Sequence, residues 1–258
     1  MALLHALQRK DKGFLYLETH AGRGAYDLGK STEARTLALA DAHAPELNAY
    51  AGVVASWRAR TGNPRAYPGS PLIAASLLRP QDRAVLIELL ATEAHALERA
   101  LGTQARVHVE CGDGFELLRA HLPPPERRAL LLIDPPYEIR EEYARVATAI
   151  QEALRRFQTG PIAAWYPIKD SRDTALWHAQ LVRRIEREAL VSEIWLHPCD
   201  SRVALNGSGL LIVNPPYQLA ERMRAWLPEL HALLDGARSG GASVRPLTAP
   251  APAAQHAR

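Results

Sequence analysis

The sequence has few cysteines and no long apolar run. Its two cysteines, Cys111 and Cys199, are far apart and form no Cys-x-x-Cys pair, which excludes a zinc ribbon, a disulfide scaffold and an iron–sulfur centre. The longest apolar runs, such as residues 130–133 and 210–213, have the length of strands, whereas a membrane-spanning helix needs roughly 20 apolar residues. The apolar run within residues 1–10 is too short for a signal peptide. We therefore expect a cytoplasmic protein without membrane contact.

The net charge of the chain is small as well. The chain has 31 Lys and Arg against 28 Asp and Glu, a formal net charge of +3, which excludes a heavily basic histone-like protein. Four of the basic residues are lysines and the rest are arginines. Arginine suits phosphate recognition and base stacking, although codon bias explains the same excess. The 258 residues, 47% of them hydrophobic, suffice for one large domain, or one domain with an insertion, around a sizeable core.

Apolar, strand-like runs alternate with helical patterns along the chain. This alternation indicates an α/β fold with a mostly parallel sheet flanked by helices. Seven strands are predicted, at residues 14–18, 84–88, 106–110, 129–134, 161–166, 192–196 and 209–214. Helices are predicted at residues 93–101, 140–157, 173–188 and 218–234.

The gap of 65 residues between the first two predicted strands is too long for a simple crossover. We interpret residues 30–75 as a small helical insertion, with helices at 33–42 and 45–60 and an ordered Pro/Gly loop at 62–71. The main domain then comprises residues 1–29 and 76–235. Residues 236–258 are rich in Gly, Ala, Pro and Ser, and we expect them to form a mobile tail.

A glycine-containing loop, Glu18-Thr-His-Ala-Gly22-Arg-Gly24, follows the first predicted strand. Glycines there allow a ligand to approach the backbone closely. Asp27 stands where a dinucleotide fingerprint has its third glycine, which argues against a nicotinamide cofactor. The pattern resembles the cofactor loop of S-adenosylmethionine-dependent methyltransferases instead, and we assign Glu18, Gly22 and Gly24 to cofactor binding. A tight strand-to-helix turn is the structural alternative.

Two acids end the next two strands. Glu88 ends the second strand, where a carboxylate can accept hydrogen bonds from two ribose hydroxyls. Asp113, in Cys111-Gly-Asp-Gly-Phe115, follows the third strand, where it can accept from an adenine amino group. Taken alone, each acid could be an ordinary loop residue or a helix cap. Their order after the glycine loop favours a nucleoside cofactor.

The sequence Asp134-Pro-Pro-Tyr137 follows the fourth strand. The prolines restrict the backbone and hold the Asp134 carboxylate beside the Pro135 carbonyl, so that the two acceptors can take both hydrogens of one exocyclic amine. Tyr137 offers a ring on which a base can stack, an interaction worth about 1–3 kcal/mol. The motif resembles the Asp/Asn-Pro-Pro-aromatic signature of amino-group methyltransferases. No metal-ligand spacing accompanies it, and we expect no metal.

A second copy, Asn214-Pro-Pro-Tyr217, follows the seventh strand. In this fold class that strand normally runs antiparallel to its neighbours, so its end faces away from the cofactor. We therefore interpret the second copy as a structural turn.

Five segments together closely resemble the bacterial RlmJ family of 23S ribosomal RNA adenine-N6 methyltransferases. The similarity covers about residues 1–235 and implies a class I (Rossmann-like) methyltransferase fold, S-adenosyl-L-methionine as cofactor and 23S ribosomal RNA, protein-free or at an early stage of assembly, as substrate. It is carried by residues 14–24, Tyr67-Pro-Gly-Ser-Pro-Leu72, residues 133–138, Ala164-Trp-Tyr-Pro167 and Val213-Asn-Pro-Pro216. By the same resemblance, the cofactor contacts are His20, Ser70, Glu88, Asp113 and Gly114, and the catalytic acceptor is Asp134.

The sequence departs from this family at its start. Family members begin with a segment like Tyr-Arg-His-x-Phe-His-Ala-Gly-Asn that helps to cover the cofactor, whereas this chain starts inside the helix that follows. That helix, from residue 2, has no capping residue before it. We expect this form to bind the cofactor weakly or not at all.

The sequence is compatible with other functions as well. The same motif serves a DNA adenine or protein glutamine methyltransferase, and a chain without the initial segment could be an inactive RNA-binding module. We expect a monomer, with RNA contacts among Arg58, Arg60, Arg65, Lys169, Arg172 and the loop at residues 200–208.

Overall fold

The computed structural model describes residues 1–28, 42–198, 201, 203, 205–234 and 239–248. The strands are β1 (Leu15–Glu18), β2 (Ala25–Asp27), β3 (Ala66–Pro68), β4 (Arg83–Glu88), β5 (Val107–Cys111), β6 (Ala129–Ile133), β7 (Ile162–Ile168), β8 (Ala189–Trp195), β9 (Gly207–Val213) and β10 (Gly241–Pro246). The helices are α1 (Ala2–Gln8), α2 (Pro45–Thr61), α3 (Ser70–Leu77), α4 (Ala91–Leu101), α5 (Gly114–Leu117), α6 (Glu141–Arg156), α7 (Ser171–Arg184) and α8 (Leu219–Leu234). Within these residues, no helix is long and apolar enough to cross a membrane.

The main sheet has the strand order β10-β8-β9-β7-β6-β1-β4-β5. Strand β1 pairs in parallel with β4 and β6, and the outer pairs β4–β5 and β6–β7 are parallel too. Strand β9 is antiparallel to both β7 and β8. The predicted α/β fold with a mostly parallel sheet is therefore confirmed, and the carboxyl ends of β5, β4, β1, β6 and β7 share one edge, the carboxyl edge.

The main sheet has eight strands among the described residues, not the predicted seven, because β10 lies in the segment expected to be a mobile tail. Residues 241–246 pair antiparallel with β8 from Gly241↔Trp195 to Pro246↔Leu190. Without β10, β8 would expose a row of unpaired main-chain groups at the sheet edge. This long-range pairing outweighs a local composition that favours a tail. Residues 249–258 lie outside the described part.

The central strands are buried on both faces, which explains their continuous apolar runs. One face, with Leu17 and Ile133, packs against Val146 and Ile150 of α6 and Leu181 of α7. The opposite face packs against α1, α3 and α4 through Leu4, Ala74 and Leu97. Helix α1 has no side-chain cap at its start, as its sequence predicted.

The predicted insertion contains α2, which confirms the helix expected at 45–60, and ends in structure that the sequence analysis missed. Strand β3 and the start of α3 lie where a Pro/Gly loop was expected. The sequence analysis missed β3 because it is short and forms by pairing antiparallel with β2, over three residues. The Gly69 N–H also donates to the Gly24 carbonyl at 2.6 Å. These contacts bring Ser70 beside the glycine loop. The helix predicted at 33–42 lies almost entirely outside the described residues.

Candidate active site

The glycine loop leaves β1 at the carboxyl edge and is held there by Glu88. The Glu88 carboxylate accepts hydrogen bonds from the Gly22 N–H at 2.8 Å and the Leu90 N–H at 2.9 Å. Gly22 and Gly24 have φ of 60° and 74°, a left-handed backbone that favours glycine. Glu88 thus joins the loop to the start of α4. Each carboxylate oxygen keeps a lone pair with which it can accept from a ribose hydroxyl.

Asp113 caps the short helix α5 beside this loop. Its carboxylate accepts from the Phe115 N–H at 2.9 Å and from Arg145 Nη2 at 2.6 Å. Burial raises the pKa of Asp113, but the hydrogen bonds from Arg145 and Phe115 outweigh burial and hold that pKa below its usual value. The carboxylate is therefore kept ionised as an acceptor.

Arg145 is a site residue that the sequence analysis missed. It lies on α6, and its guanidinium stands 4.3 Å from the centre of the Phe115 ring. The Phe115 ring in turn meets the His20 ring edge-on, with centroids 4.6 Å apart, and burial lowers the pKa of His20 to about 4. Arg145 belongs to an ordinary charged helix face in the sequence, so only the packing of α6 against α5 identifies it.

Replacing Arg145 by Met is expected to weaken cofactor binding about five- to tenfold, because Asp113 loses the partner that orients it. The rate at saturating cofactor should change little, the pattern for a contact made equally in the ground and transition states. Calorimetry measures the cofactor affinity, and kinetics that determine KM and kcat separately measure the rate at saturation. Arg140→Met is the matched control, since its ion pair with Asp173 is exposed (88% and 62%) and such pairs contribute little. Equal effects of the two substitutions would contradict the role of Arg145.

Glu18 lies fully buried at the end of β1. It accepts hydrogen bonds from the Tyr16 hydroxyl at 2.9 Å and from the Ser70 hydroxyl. Burial raises the pKa of Glu18 to about 8; the two hydrogen bonds oppose the rise, and the charges of Asp134 and Glu88 add to it. Three of the predicted acids are therefore close neighbours. No ion pair among the described residues involves any of the three.

This cluster predicts a pH dependence of stability for the cofactor-free protein. The pKa of Glu18 is about 8 in the folded chain and near 4.5 when unfolded, so between these values the folded state holds the extra proton. Stability then falls as pH rises from about 4.5 to about 8, by at most about 1.4 kcal/mol per pH unit. The free energy of unfolding, measured with urea at pH 5.5 and 7.5, should depend less on pH in Glu18→Gln than in the wild type. Glu221→Gln, at an exposed position of α8, should retain the wild-type slope, and an unchanged slope in Glu18→Gln would refute the assignment.

Gly114 brings the end of β5 against the end of β1. A Cβ at this position would lie 1.8 Å from the Thr19 carbonyl oxygen. The two chain segments approach each other so closely that only glycine fits. This contact explains why the residue after Asp113 lacks a side chain.

Asp134 and Pro135 stand at the carboxyl end of β6, next to β1. Burial raises the pKa of Asp134 to about 6. Pro135 is buried and Pro136 is exposed. The structure thus brings Asp134 to the same edge as Glu18, Glu88 and Asp113, as expected from the order of the strands.

Tyr137 does not present its ring as the sequence analysis expected. The residue is only 4% exposed. Its hydroxyl donates to the Trp165 carbonyl at 2.7 Å, and its ring packs 4.7 Å from that of Tyr143. Its backbone has φ of 54°, a strained conformation for a bulky side chain. Burial of the ring in the core and satisfaction of the hydroxyl favour this inward position over an open stacking surface.

The second motif lies at the opposite edge of the sheet. Asn214 Nδ2 donates to the carbonyls of Gln158 at 2.9 Å and Gly160 at 3.0 Å, just before β7 begins. Because β9 is antiparallel to β7, its end faces away from Asp134. The expected direction of this strand is confirmed, and the Asn214 side chain holds the turn before β7, as the interpretation of a structural turn requires.

Several expected RNA contacts are engaged within the chain. Arg58 Nε donates to the Ala66 carbonyl at 3.2 Å, and Arg65 pairs with Asp27 at 3.3 Å. The Arg60 guanidinium lies 4.3 Å from the Trp57 ring centre. Arg172 is exposed, and Lys169 Nζ donates to the Tyr137 carbonyl in the loop after β6. The loop at 200–208 lies partly outside the described residues.

The comparisons with known proteins agree with one another. A family model described as ribosomal RNA large subunit methyltransferase D, RlmJ, matches residues 11–248. Ribosomal RNA large subunit methyltransferase J of Escherichia coli (strain K12) is 40% identical over 251 residues, which is 94% of this chain and 89% of the relative. Its counterpart in Haemophilus influenzae is 36% identical over 257 residues, 96% of this chain and 92% of the relative.

Solved structures show the same fold. A protein from Legionella pneumophila superposes with a TM-score of 0.82 at 34% identity, covering 94% of this chain and 92% of that one. A probable spermidine synthase from Corynebacterium glutamicum has a TM-score of 0.53 at 12% identity, covering 94% and 71%. The second likeness extends only to the fold.

Proposed function

The chain belongs to the RlmJ family of large-subunit ribosomal RNA methyltransferases, and on that basis we propose that it methylates the N6 amino group of an adenine in 23S ribosomal RNA with S-adenosylmethionine. The observation that carries the proposal is the position of Asp134-Pro-Pro-Tyr137. The motif ends β6, which pairs with β1, so its carboxylate and the glycine loop occupy adjacent strand ends. The amino group and the methyl donor would therefore meet there.

The charges of the site suit S-adenosylmethionine. Glu18, Glu88 and Asp134 are close enough for the last two to raise the pKa of the first. A ligand that carries a sulfonium and an ammonium group supplies the missing positive charge. Glu88 would accept from the ribose hydroxyls and Asp113 from the adenine amino group. His20, Gly22, Gly24, Ser70 and Gly114 would complete the contacts.

The chemistry assigned to this chain is mainly orientation. The cofactor supplies an electrophilic methyl group on sulfur. The Asp134 carboxylate and the Pro135 carbonyl would accept the two N6 hydrogens and so direct the nitrogen lone pair at that methyl group. The new N–C bond would form as the methyl–sulfur bond breaks, with its electron pair left on sulfur. Preorganised acceptors of this kind stabilise the positive charge that develops on nitrogen. The proton would then pass to the Asp134 carboxylate, from which it can reach solvent. Because methylation makes the amine acidic, Asp134 need not be a strong base.

Tyr137 contributes to this geometry through the loop. Its ring and hydroxyl anchor the two prolines to β7. Stacking of the flipped-out adenine on its ring requires a displacement of the loop, since the ring is packed in the core. Extraction of the base from its stack itself costs a few kcal/mol.

Isotope-labelled methyl transfer tests the function. Unmodified 23S ribosomal RNA, the same RNA within assembled large subunits, duplex DNA and a glutamine-containing protein substrate would each be incubated with the chain and labelled cofactor. Mass analysis of the products should show N6-methyladenosine in the protein-free RNA. Label in DNA or protein alone would favour those substrates, and RNA binding without any methylation would favour a binding module. Calorimetry with the cofactor also tests the expectation of weak binding.

A further inference from the structure

The loop after β6 and the first turn of α6 are joined to the end of β7 by side-chain hydrogen bonds. The Tyr137 hydroxyl donates to the Trp165 carbonyl, and the Tyr143 hydroxyl donates to the Pro167 carbonyl at 3.4 Å. Lys169 acts in the opposite direction: its Nζ donates to the Tyr137 carbonyl at 3.2 Å. Lys169 therefore holds the main chain of the loop at Tyr137, while the Glu142 carboxylate of α6 accepts from the Ile139 N–H at 3.3 Å further along the loop.

The main chain of this loop offers few places to be held. Pro135 and Pro136 have no N–H, so these two residues can form main-chain hydrogen bonds only through their carbonyl oxygens. Tyr137 has a left-handed backbone, and such conformations persist only where the surroundings enforce them. A charged donor makes a shorter and stronger bond to a carbonyl than a neutral one does. The ammonium of Lys169 opposes relaxation of the strained turn.

Lys169 is itself well placed to hold a position. It directly follows β7 and precedes Asp170, whose carboxylate caps α7 by accepting from the Arg172 N–H at 2.6 Å and the Asp173 N–H at 3.3 Å. Its main chain is thus fixed between a buried strand and a capped helix. From this fixed main chain, the Lys169 side chain reaches the Tyr137 carbonyl in a partly buried hydrogen bond.

We propose that Lys169 is a positioning residue for methyl transfer: by fixing the Tyr137 carbonyl it keeps the Asp134 carboxylate and the Pro135 carbonyl at the spacing that accepts both amine hydrogens. The proposal rests on the proposed function and assigns Lys169 a role other than the RNA contact expected from the sequence. A displacement of about 1 Å in such a site lowers rates by roughly a hundredfold. The charge acts on the loop and not on a phosphate.

Three variants separate these roles. Lys169→Met removes the charge with a side chain of similar length, Lys169→Arg keeps it, and Lys12→Met removes the same charge from an exposed position before β1, at the opposite edge. For each, the single-turnover rate at saturating RNA and cofactor would be measured. Cofactor affinity, the salt dependence of RNA affinity and hydrogen exchange of residues 134–140 complete the set.

Lys169→Met is expected to lower the single-turnover rate about 10- to 100-fold and to speed exchange in the loop. Cofactor and RNA affinities should stay within twofold, Lys169→Arg should recover part of the rate, and Lys12→Met should match the wild type. A rate within twofold of wild type, or unchanged exchange, would overturn the proposal. So would a loss confined to RNA affinity with a salt slope smaller by about one, which would make Lys169 a phosphate contact. A wild-type chain that methylates no adenine would refute the proposed function, while hydrogen exchange would still test the grip on the loop.

Discussion

Replacing Asp134 by alanine is expected to abolish methyl transfer, with a loss of at least about 10²- to 10³-fold, the range seen when one preorganised hydrogen-bonding group is removed from an active site. The remaining Pro135 carbonyl can accept only one of the two amine hydrogens. Cofactor affinity should stay within a few-fold, because the carboxylate acts on the substrate amine and because Glu18 and Glu88 remain to face the positive charge of the cofactor. Single-turnover assays and calorimetry measure the two quantities separately. Turnover above a few per cent of wild type would refute the role of Asp134.

Asp134→Asn refines this test. An amide oxygen still accepts a hydrogen bond, so part of the activity should remain. Burial raises the pKa of Asp134 to about 6, and only the ionised carboxylate is the full acceptor. The wild-type kcat/KM should therefore rise with pH through about 6, and this rise should vanish in Asp134→Asn. A rise that persists in the variant would assign the titration to another group.

The second Pro-Pro motif supplies a matched control. Asn214→Ala changes an equivalent sequence position at the opposite edge of the sheet and should leave methyl transfer unchanged. It removes two hydrogen bonds, from Asn214 Nδ2 to the Gln158 and Gly160 carbonyls. Each typically contributes about 0.5–1.5 kcal/mol, so the free energy of unfolding should fall by about 1–3 kcal/mol. A loss of activity in the properly folded variant would mean that the two motifs had been assigned the wrong way round.

Gly114→Ala is the other substitution with a large expected effect, this time on cofactor binding. A methyl group placed 1.8 Å from the Thr19 carbonyl oxygen cannot be accommodated by a side-chain rotation, because the atom it meets belongs to the main chain. The end of β5 must move away from the end of β1, and Asp113 moves with it. We expect cofactor affinity to fall at least about a hundredfold and stability to fall by about 2–3 kcal/mol, as overpacked sites typically do.

Gly52→Ala controls for the substitution itself. Gly52 lies within α2 and has nothing within 4 Å of its would-be Cβ. Alanine stabilises an exposed helix position by up to about 1 kcal/mol relative to glycine, so this variant should unfold at the same or a slightly higher temperature and bind cofactor normally. Calorimetry and thermal unfolding of both variants give the comparison. Normal cofactor affinity in Gly114→Ala would show that the two strand ends can separate without disturbing the site.

The strand-end acids show how far a sequence can predict a site. Glu18, Glu88 and Asp134 follow buried, apolar runs, and parallel strands place their carboxyl ends at one edge. Their neighbourhood therefore follows from strand order alone. Asn214 is distinguished from Asp134 by the same reasoning, since its strand was expected to run the other way.

Contacts between distant segments were beyond such reasoning. The Arg145–Asp113 pair depends on how α6 packs against α5, and the grip of Lys169 on Tyr137 depends on the direction in which a flexible side chain leaves β7. Tyr137 itself reads as a stacking surface in its motif, yet its ring is buried because the core offered it aromatic neighbours and a carbonyl partner. Nothing in the local sequence carries that information.

The sequence by itself determined the α/β fold, the family and the edge of the sheet where the chemistry lies. Hydrophobic periodicity specifies strands and helices, and strand order specifies which loops meet. Only the tertiary structure decided that residues 241–246 complete the sheet, that Ser70 reaches Glu18, and that Tyr137 turns inward with its carbonyl held by Lys169. These are long-range pairings, whose free energy comes from burial and from hydrogen bonds between segments far apart in the chain, so no local pattern records them.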